Sequence, residues 1–225
     1  MSTPRFWEAA WQRIGRWIPT LHAPGNAALA DVRFVVVDTE TSGFNTRSDR
    51  LLSIGACAVK GGRIDLAETF YRELRQEQPS DDANILVHGI GRAAQLSGEV
   101  RADALRAFLD FASGDPLVAF NAKFDQAFLA RSMRQDLGER FAAEWFDLAT
   151  LPRGLYPDAA RSRRTLDDWL AHFGIDSLER HHALGDAFVT AELLLVVLAK
   201  ARAEGFADLG GLRRAARLGV STAPT

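Results

Sequence analysis

Apolar positions along this chain follow two periods, and the change from one to the other divides it into regions. Phe6, Trp7, Ala10, Trp11, Ile14, Trp17 and Ile18 fall at helical spacing with Arg5, Glu8, Gln12, Arg13 and Arg16 between them, which predicts an amphipathic helix. Pro19, Pro24, Gly25 and Asn26 break that pattern, so residues 1–29 read as an appended helix and linker. Phe34 to Val37 is a short β-branched run of the kind buried on both faces of a sheet, and it leads into Asp38. Leu51 to Val59 and Ile64 to Tyr71 flank Gly61-Gly62, which predicts a hairpin and an antiparallel meander of three strands. Helices follow at about Val100 to Phe111, Phe124 to Arg134, Thr165 to Phe173 and Ala183 to Ala201, with a strand at Leu117 to Phe120. The turn at Gly114, Asp115 and Pro116 suits a crossover into parallel pairing. The expectation is an α/β domain over residues 30–205, a mixed sheet flanked by helices, followed by a tail over 206–225.

Composition narrows the class. With 47% hydrophobic and 25% charged residues in 225, the chain is neither disordered nor collagen-like. A net charge of −2 argues against a histone-like partner held to duplex DNA mainly by counterion release. It leaves nucleic acid open, because a bound metal can supply the positive charge a phosphate needs. The single cysteine, Cys57, forms no internal disulfide, and it lies in an apolar strand with no base nearby in sequence, which makes it a poor nucleophile. The longest apolar run, Leu193 to Ala199, is far short of the ~18 residues of a membrane span, and Glu8, Gln12 and Arg13 interrupt any signal-like segment. A cytoplasmic setting is the expectation.

The candidate chemistry rests on carboxylates. Asp38 and Glu40 stand two apart at a strand's end, so both project from one face, where a divalent cation relieves their repulsion and burial. Oxygen ligands of this kind suit Mg²⁺ or Mn²⁺. Alone the pair is unspecific, since a solvated loop after a strand presents the same residues. Asp125 opens a helix after Leu117 to Phe120, where the helix dipole also favours a carboxylate, and Asn121 can cap that helix or tether the turn before it. His181 and Asp186 stand five apart, as for an imidazole in a loop just before a helix whose first turn carries the aspartate.

Taken in order, VVVDTETSGF with LLSIGACAV, then LVAFNAKFD, then HHALGDAFVTAELL resemble the three exonuclease motifs of the DEDDh 3′-to-5′ exonucleases, the group that holds the proofreading epsilon subunit of bacterial DNA polymerase III and RNase T. The likeness covers about residues 32 to 200 and implies a ribonuclease H-like fold. It further implies that Asp38 bridges two divalent metal ions, Mg²⁺ or Mn²⁺, that Glu40 and Asp186 help hold the one binding the nucleophilic water, and that Asp125 supports the second. His181 is then the general base, since histidine's ordinary pKa of ~6.5 lets it take a proton at neutral pH. The register to Asp186 selects His181 over His182.

Thr41, Ser42, Gly43 and Phe44 are candidates to hold the 3′-terminal nucleotide of a single-stranded DNA or RNA, with Asn121 and Phe124 beside them. Phe124 and Phe146 flank acidic motif positions and are candidates to stack on bases, but the core reading is the better supported, since packing is the commonest use of Phe. Arg153, Arg161, Arg163 and Arg164 form a basic cluster that is either a phosphate contact or a solvated face. Phe120 replaces the histidine many relatives carry before the motif asparagine, at a position that is not a ligand. Only 39 residues follow Asp186, which leaves little room for a polymerase-binding segment. The leading expectation is therefore a 3′-to-5′ exonuclease releasing nucleoside 5′-monophosphates. A polymerase-associated proofreading subunit active mainly in complex, and an inactive nucleic-acid-binding module, stand beside it. The tryptophan-bearing helix is expected first to pack on this domain or on its mate in a homodimer, with a protein partner or a membrane surface as the alternatives.

Overall fold

The apolar run beginning at Phe34 becomes β1 (Phe34–Thr41), the middle strand of a five-stranded sheet. A computed structural model describes residues 24–176 and 181–221, so the expected helix over Phe6 to Ile18 lies outside the described residues. β2 (Leu51–Lys60) and β3 (Arg63–Glu73) complete an antiparallel meander, and β4 (Leu117–Ala119) and β5 (Trp145–Asp147) extend the other side of β1 in parallel. The order is β3-β2-β1-β4-β5. Three residues is all of β5, too short for periodicity, and it was not foreseen; its Phe146 is buried and packs edge to face on Phe34 at 6.1 Å, so it belongs to the core.

Strand alternation sorts β1 into two cores. Phe34 and Val36 face one layer with α6 (Leu166–Phe173), α7 (Ala183–Ala203) and α8 (Leu209–Ser221). Val35 and Val37 face the other, with α3 (Arg101–Ala112) and α4 (Lys123–Ser132). Two short helices, α1 (Asp82–His88) and α2 (Arg92–Ser97), follow β3, and α5 (Leu151–Leu155) follows β5. A π-helical turn, Met133–Leu137, ends α4, and Arg101 of α3 grips it through Asp136 at 3.0 Å. Thr165 and Asp168 close a capping box at the start of α6.

In place of the tail expected over 206–225, the chain forms a packed helix at Leu209–Ser221. Leu209, Leu212 and Ala215 of α8 are buried in the first core, and α8 lies against α5, where Gly219 has no side chain to strike the Thr150 carbonyl. A Cβ on Gly219 would stand 2.0 Å from that oxygen. Residues of the expected linker join the same layer: Leu29 donates its N–H to the Ala207 carbonyl at 3.0 Å, and Leu209 donates its N–H to the Ala27 carbonyl at 3.0 Å. The domain thus reaches from about residue 27 to 221. Interleaved glycines and arginines in LGGLRRAARLGVS hid an apolar stripe only three residues wide.

Candidate active site

β1 delivers its carboxylates at the point where the ladder breaks. Asp38 pairs with Gly55 and Glu40 with Ser53, and the register then slips between Glu40 and Thr41, so the chain leaves the sheet as the loop Ser42 to Arg50. Asp38 and Glu40 share the α7 face of β1, and α7 brings Asp186 onto it from its first turn. The approach depends on Gly55: a Cβ there would lie 2.2 Å from the Ala183 carbonyl carbon and the Leu184 nitrogen. Oxygens of Asp38, Glu40 and Asp186 lie within 4.8 Å of one another. Three carboxylates so close, one of them buried, form a hard-oxygen donor set that a divalent cation fits.

His181 and His182 have different tasks. His181 takes a left-handed backbone conformation, φ 63°, and its N–H donates to Asp186 Oδ2 at 3.0 Å while its exposed side chain lines the cleft. His182 is the N-cap of α7: its Nδ1 accepts the Gly185 N–H at 3.3 Å, and its ring stacks on Tyr71 at 4.7 Å.

Asp125 does not join the three carboxylates. It rises from α4 on the opposite face, buried, and accepts a hydrogen bond from Thr39 Oγ1 at 2.7 Å, Thr39 being the β1 residue between Asp38 and Glu40 that points that way. Burial pushes its carboxyl up to about 7, the Thr39 bond opposing and Asp147 adding to the rise.

The cleft has a volume of about 250 Å³ and is lined by Asp38, Glu40, Thr41, Gly43, Phe44, Phe124, His181 and Asp186 among the expected residues. Phe44 is 89% exposed and stands 6.3 Å from Phe124, which rests on Phe128 at 4.9 Å. Thr41 Oγ1 donates to the Gly43 carbonyl at 2.7 Å, which shapes the loop's start. Asn121 is outside the lining; its left-handed backbone, φ 59°, presents its N–H to Asp147 Oδ1 at 3.0 Å, and its side chain does not cap α4. None of the four expected arginines lines the cleft: Arg153 and Arg163 donate to the carbonyls of Ala149 and Ala159, and Arg161 pairs with Asp158. Cys57 is buried and its thiol is pushed up to about 12 by burial, which removes it as a nucleophile.

Four lining residues were missed: Thr39 of β1, and Asn84, Val87 and His88 of α1. Asn84 Nδ2 donates to the Ser42 carbonyl at 2.8 Å, which fixes α1 to the loop. His88 is buried and accepts the Ile90 N–H on Nδ1 at 3.0 Å, and burial lowers its pKa. LVHGI was visible as a family-like stretch, but nothing local placed it opposite β1.

The exonuclease family model RNase_T matches residues 35–194. The chain is 35% identical over 196 residues to the DNA polymerase III subunit epsilon-like protein of Rhodobacter capsulatus, covering 84% of this chain and 27% of that protein. It is 30% identical over 196 residues to the DNA polymerase III subunit epsilon of Salmonella typhimurium, covering 82% of this chain and 79% of that one. It also matches the DNA polymerase III PolC-type of Bacillus subtilis at 31% identity, covering 84% of this chain and 13% of that protein. Thus the chain spans about a quarter of the Rhodobacter relative and less of the Bacillus one. E. coli exonuclease I in complex with a dA16 oligonucleotide superposes with a TM-score of 0.65 at 16% identity, over 76% of this chain and 41% of that chain. Exonuclease X in complex with 5′ overhanging duplex DNA does so with a TM-score of 0.63 at 20% identity, over 83% and 99%. These two share the ribonuclease H-like fold. The chain belongs to the exonuclease family. Among the described residues no helix is long and apolar enough to cross a membrane.

Proposed function

We propose that this protein removes nucleotides one at a time from the 3′ end of single-stranded nucleic acid, releasing nucleoside 5′-monophosphates. The observation that carries the reading is the convergence of Asp38, Glu40 and Asp186 within 4.8 Å beside the side chain of His181. Asp38, Glu40 and Asp186 would hold divalent cations, Mg²⁺ or Mn²⁺, with Asp125 supporting a second one from behind Thr39. Bound there, such ions supply electrostatic stabilisation to a phosphodiester that gains charge in its transition state. His181 takes a proton from the attacking water; the water oxygen bonds to phosphorus and the bond to the preceding nucleotide's 3′ oxygen breaks. Phe44 and Phe124 offer faces to the terminal base, a sequence-tolerant contact, and Thr41 and Gly43 border the sugar and phosphate.

The test follows 5′-labelled single-stranded DNA and RNA with Mg²⁺ or Mn²⁺, comparing wild type, Asp38→Ala and an EDTA control. A descending ladder lost in the variant and with EDTA is the expected result, and the faster arm gives the sugar preference. Intact oligomers with folded, metal-loaded protein would overturn the stand-alone enzyme. The likeness to the Salmonella epsilon subunit over 79% of that protein favours a second reading, a proofreading subunit active mainly with a polymerase. Copurification with a polymerase, lost on deleting residues 1 to 28, would support it.

A further inference from the structure

Behind the loop Ser42 to Arg50 the surface carries a second depression, about 460 Å³, whose walls hold Arg50, Arg75 and Arg101. Two of these are held by backbone rather than by acids: Arg50 Nη1 donates to the Gln78 carbonyl, and Arg75 Nε donates to the Gly98 carbonyl at 3.1 Å. Among the described residues neither forms an ion pair. Arg101 pairs with Asp136 and also donates to the Leu51 carbonyl at 3.1 Å. Arg131 and Arg134 add to the field: Arg131 has its pKa lowered by burial first and by the charge of Arg101 next, with Arg134 contributing and Asp49 opposing. Against Glu77 and Asp136 in the same walls the balance stays positive, in a chain of net charge −2.

Each guanidinium carries five donors, so an arginine tethered by one of them to a carbonyl keeps the rest for a ligand. Tethering also removes much of the ordering cost that a free side chain pays on binding. The planar fork matches phosphate oxygens, and the remaining lining is polar, Gln78 and Gln135 standing beside the carboxylates of Glu77 and Asp136 while the Gln76 amide is spent on the Leu51 and Leu74 carbonyls, so it offers no apolar bed for a base. The depression abuts the cleft. Arg50 and Ser42 exchange hydrogen bonds at 2.9 Å, Arg50 N–H to Ser42 Oγ and Ser42 N–H to the Arg50 carbonyl, and Ser42 in turn accepts from Asn84 of the cleft wall. One loop base therefore separates the two.

We propose that this arginine groove binds backbone phosphates of the nucleic-acid strand upstream of the terminal nucleotide, anchoring long substrates while the 3′ end sits in the cleft. The inference rests on the exonuclease reading above, and its test separates the two. The probe is 5′-fluorescein dT12 (or rU12, if RNA is the faster substrate), bound in EDTA and followed by anisotropy from 50 to 300 mM NaCl. The proteins are wild type, Arg50→Gln/Arg75→Gln and the charge-keeping Arg50→Lys/Arg75→Lys, each checked by thermal melting. Single-strand contacts contribute a salt slope of about −0.7 per phosphate, which at 0.1 M salt is about fivefold in affinity each. Losing two should raise Kd about 25-fold and flatten the slope by about 1.4, with the lysine pair falling between. In hydrolysis, the glutamine variant should raise KM for dT12 with kcat unchanged and leave the dinucleotide dT2 as in wild type.

An unchanged slope and KM would overturn the groove, as would an equal loss on dT2 and dT12, which points to the cleft itself. Competition by inorganic phosphate or thymidine 5′-monophosphate that vanishes in the glutamine variant while dT12 affinity stays put would assign the groove to mononucleotides and overturn the strand anchor. If wild type degrades nothing yet binds dT12 through these arginines, the anchor stands and the nuclease reading fails. Normal degradation with the variant's binding unaltered does the reverse.

Discussion

Replacing Gly55 by alanine tests how the site is assembled. Gly55 pairs with Asp38 across the β1–β2 ladder, and the start of α7 lies directly over it. A methyl group would sit 2.2 Å from the Ala183 carbonyl carbon and the Leu184 nitrogen, whereas ordinary contact begins at 3.4 Å, so the backbone must retreat by about 1.2 Å. Neither atom is the tip of a flexible side chain, so the strain falls on the helix or the strand. Overpacking of this kind costs about 1–3 kcal/mol. Its second effect is geometric: Asp186, two residues beyond Leu184, moves away from Asp38 and Glu40. A misplacement of about 1 Å in a catalytic group costs on the order of 10²-fold in rate. The assay pairs urea unfolding with Mn²⁺ binding by electron paramagnetic resonance and with the oligonucleotide ladder. Lower stability, weaker Mn²⁺ binding and a lost ladder are expected together. Gly55→Ala protein with wild-type stability and Mn²⁺ affinity would refute the idea that this glycine sets the spacing of the carboxylates.

Three further expectations separate neighbouring residues and segments. His181→Ala should lower hydrolysis by about 10²–10⁴-fold with little change in stability, whereas His182→Ala should lose about 1 kcal/mol of stability as an N-cap and keep the ladder; the opposite pattern would exchange their roles. In EDTA, Asp125 holds its proton more tightly folded than unfolded, because burial raises its carboxyl from the ordinary value to about 7. Stability it contributes is therefore present at low pH and lost as pH rises from about 4 to 7, by up to ~1.4 kcal/mol per unit; Asp125→Asn should abolish that slope in urea titrations, and parallel curves would contradict it. Deleting residues 206–225 uncovers the layer that Leu209 and Leu212 close, a loss of about 3–6 kcal/mol, so the protein should melt far lower or fail to fold; an unchanged melt would restore the tail.

Local pattern alone determined much of this protein. The buried run at Phe34, the Gly61-Gly62 hairpin and the α7 stripe are set by period and turn chemistry, which act within a few residues, and the order of the three motifs carried the family. That Asp38 and Glu40 share a face also follows from strand alternation and needs no tertiary contact. What only the tertiary structure decided lies across large separations in sequence. Asp125 meets Thr39 because α4 packs on the other face of β1, a matter of layer rather than spacing. α8 closes the first core through Leu209, Leu212 and Ala215, three positions diluted among glycines and arginines. His88 and Asn84 reach the cleft, and Arg50, Arg75 and Arg101 converge behind it, only because β2, β3 and the helices after them fold back on one loop. Side chains so far apart along the chain leave no periodic trace, so their meeting is fixed by packing alone.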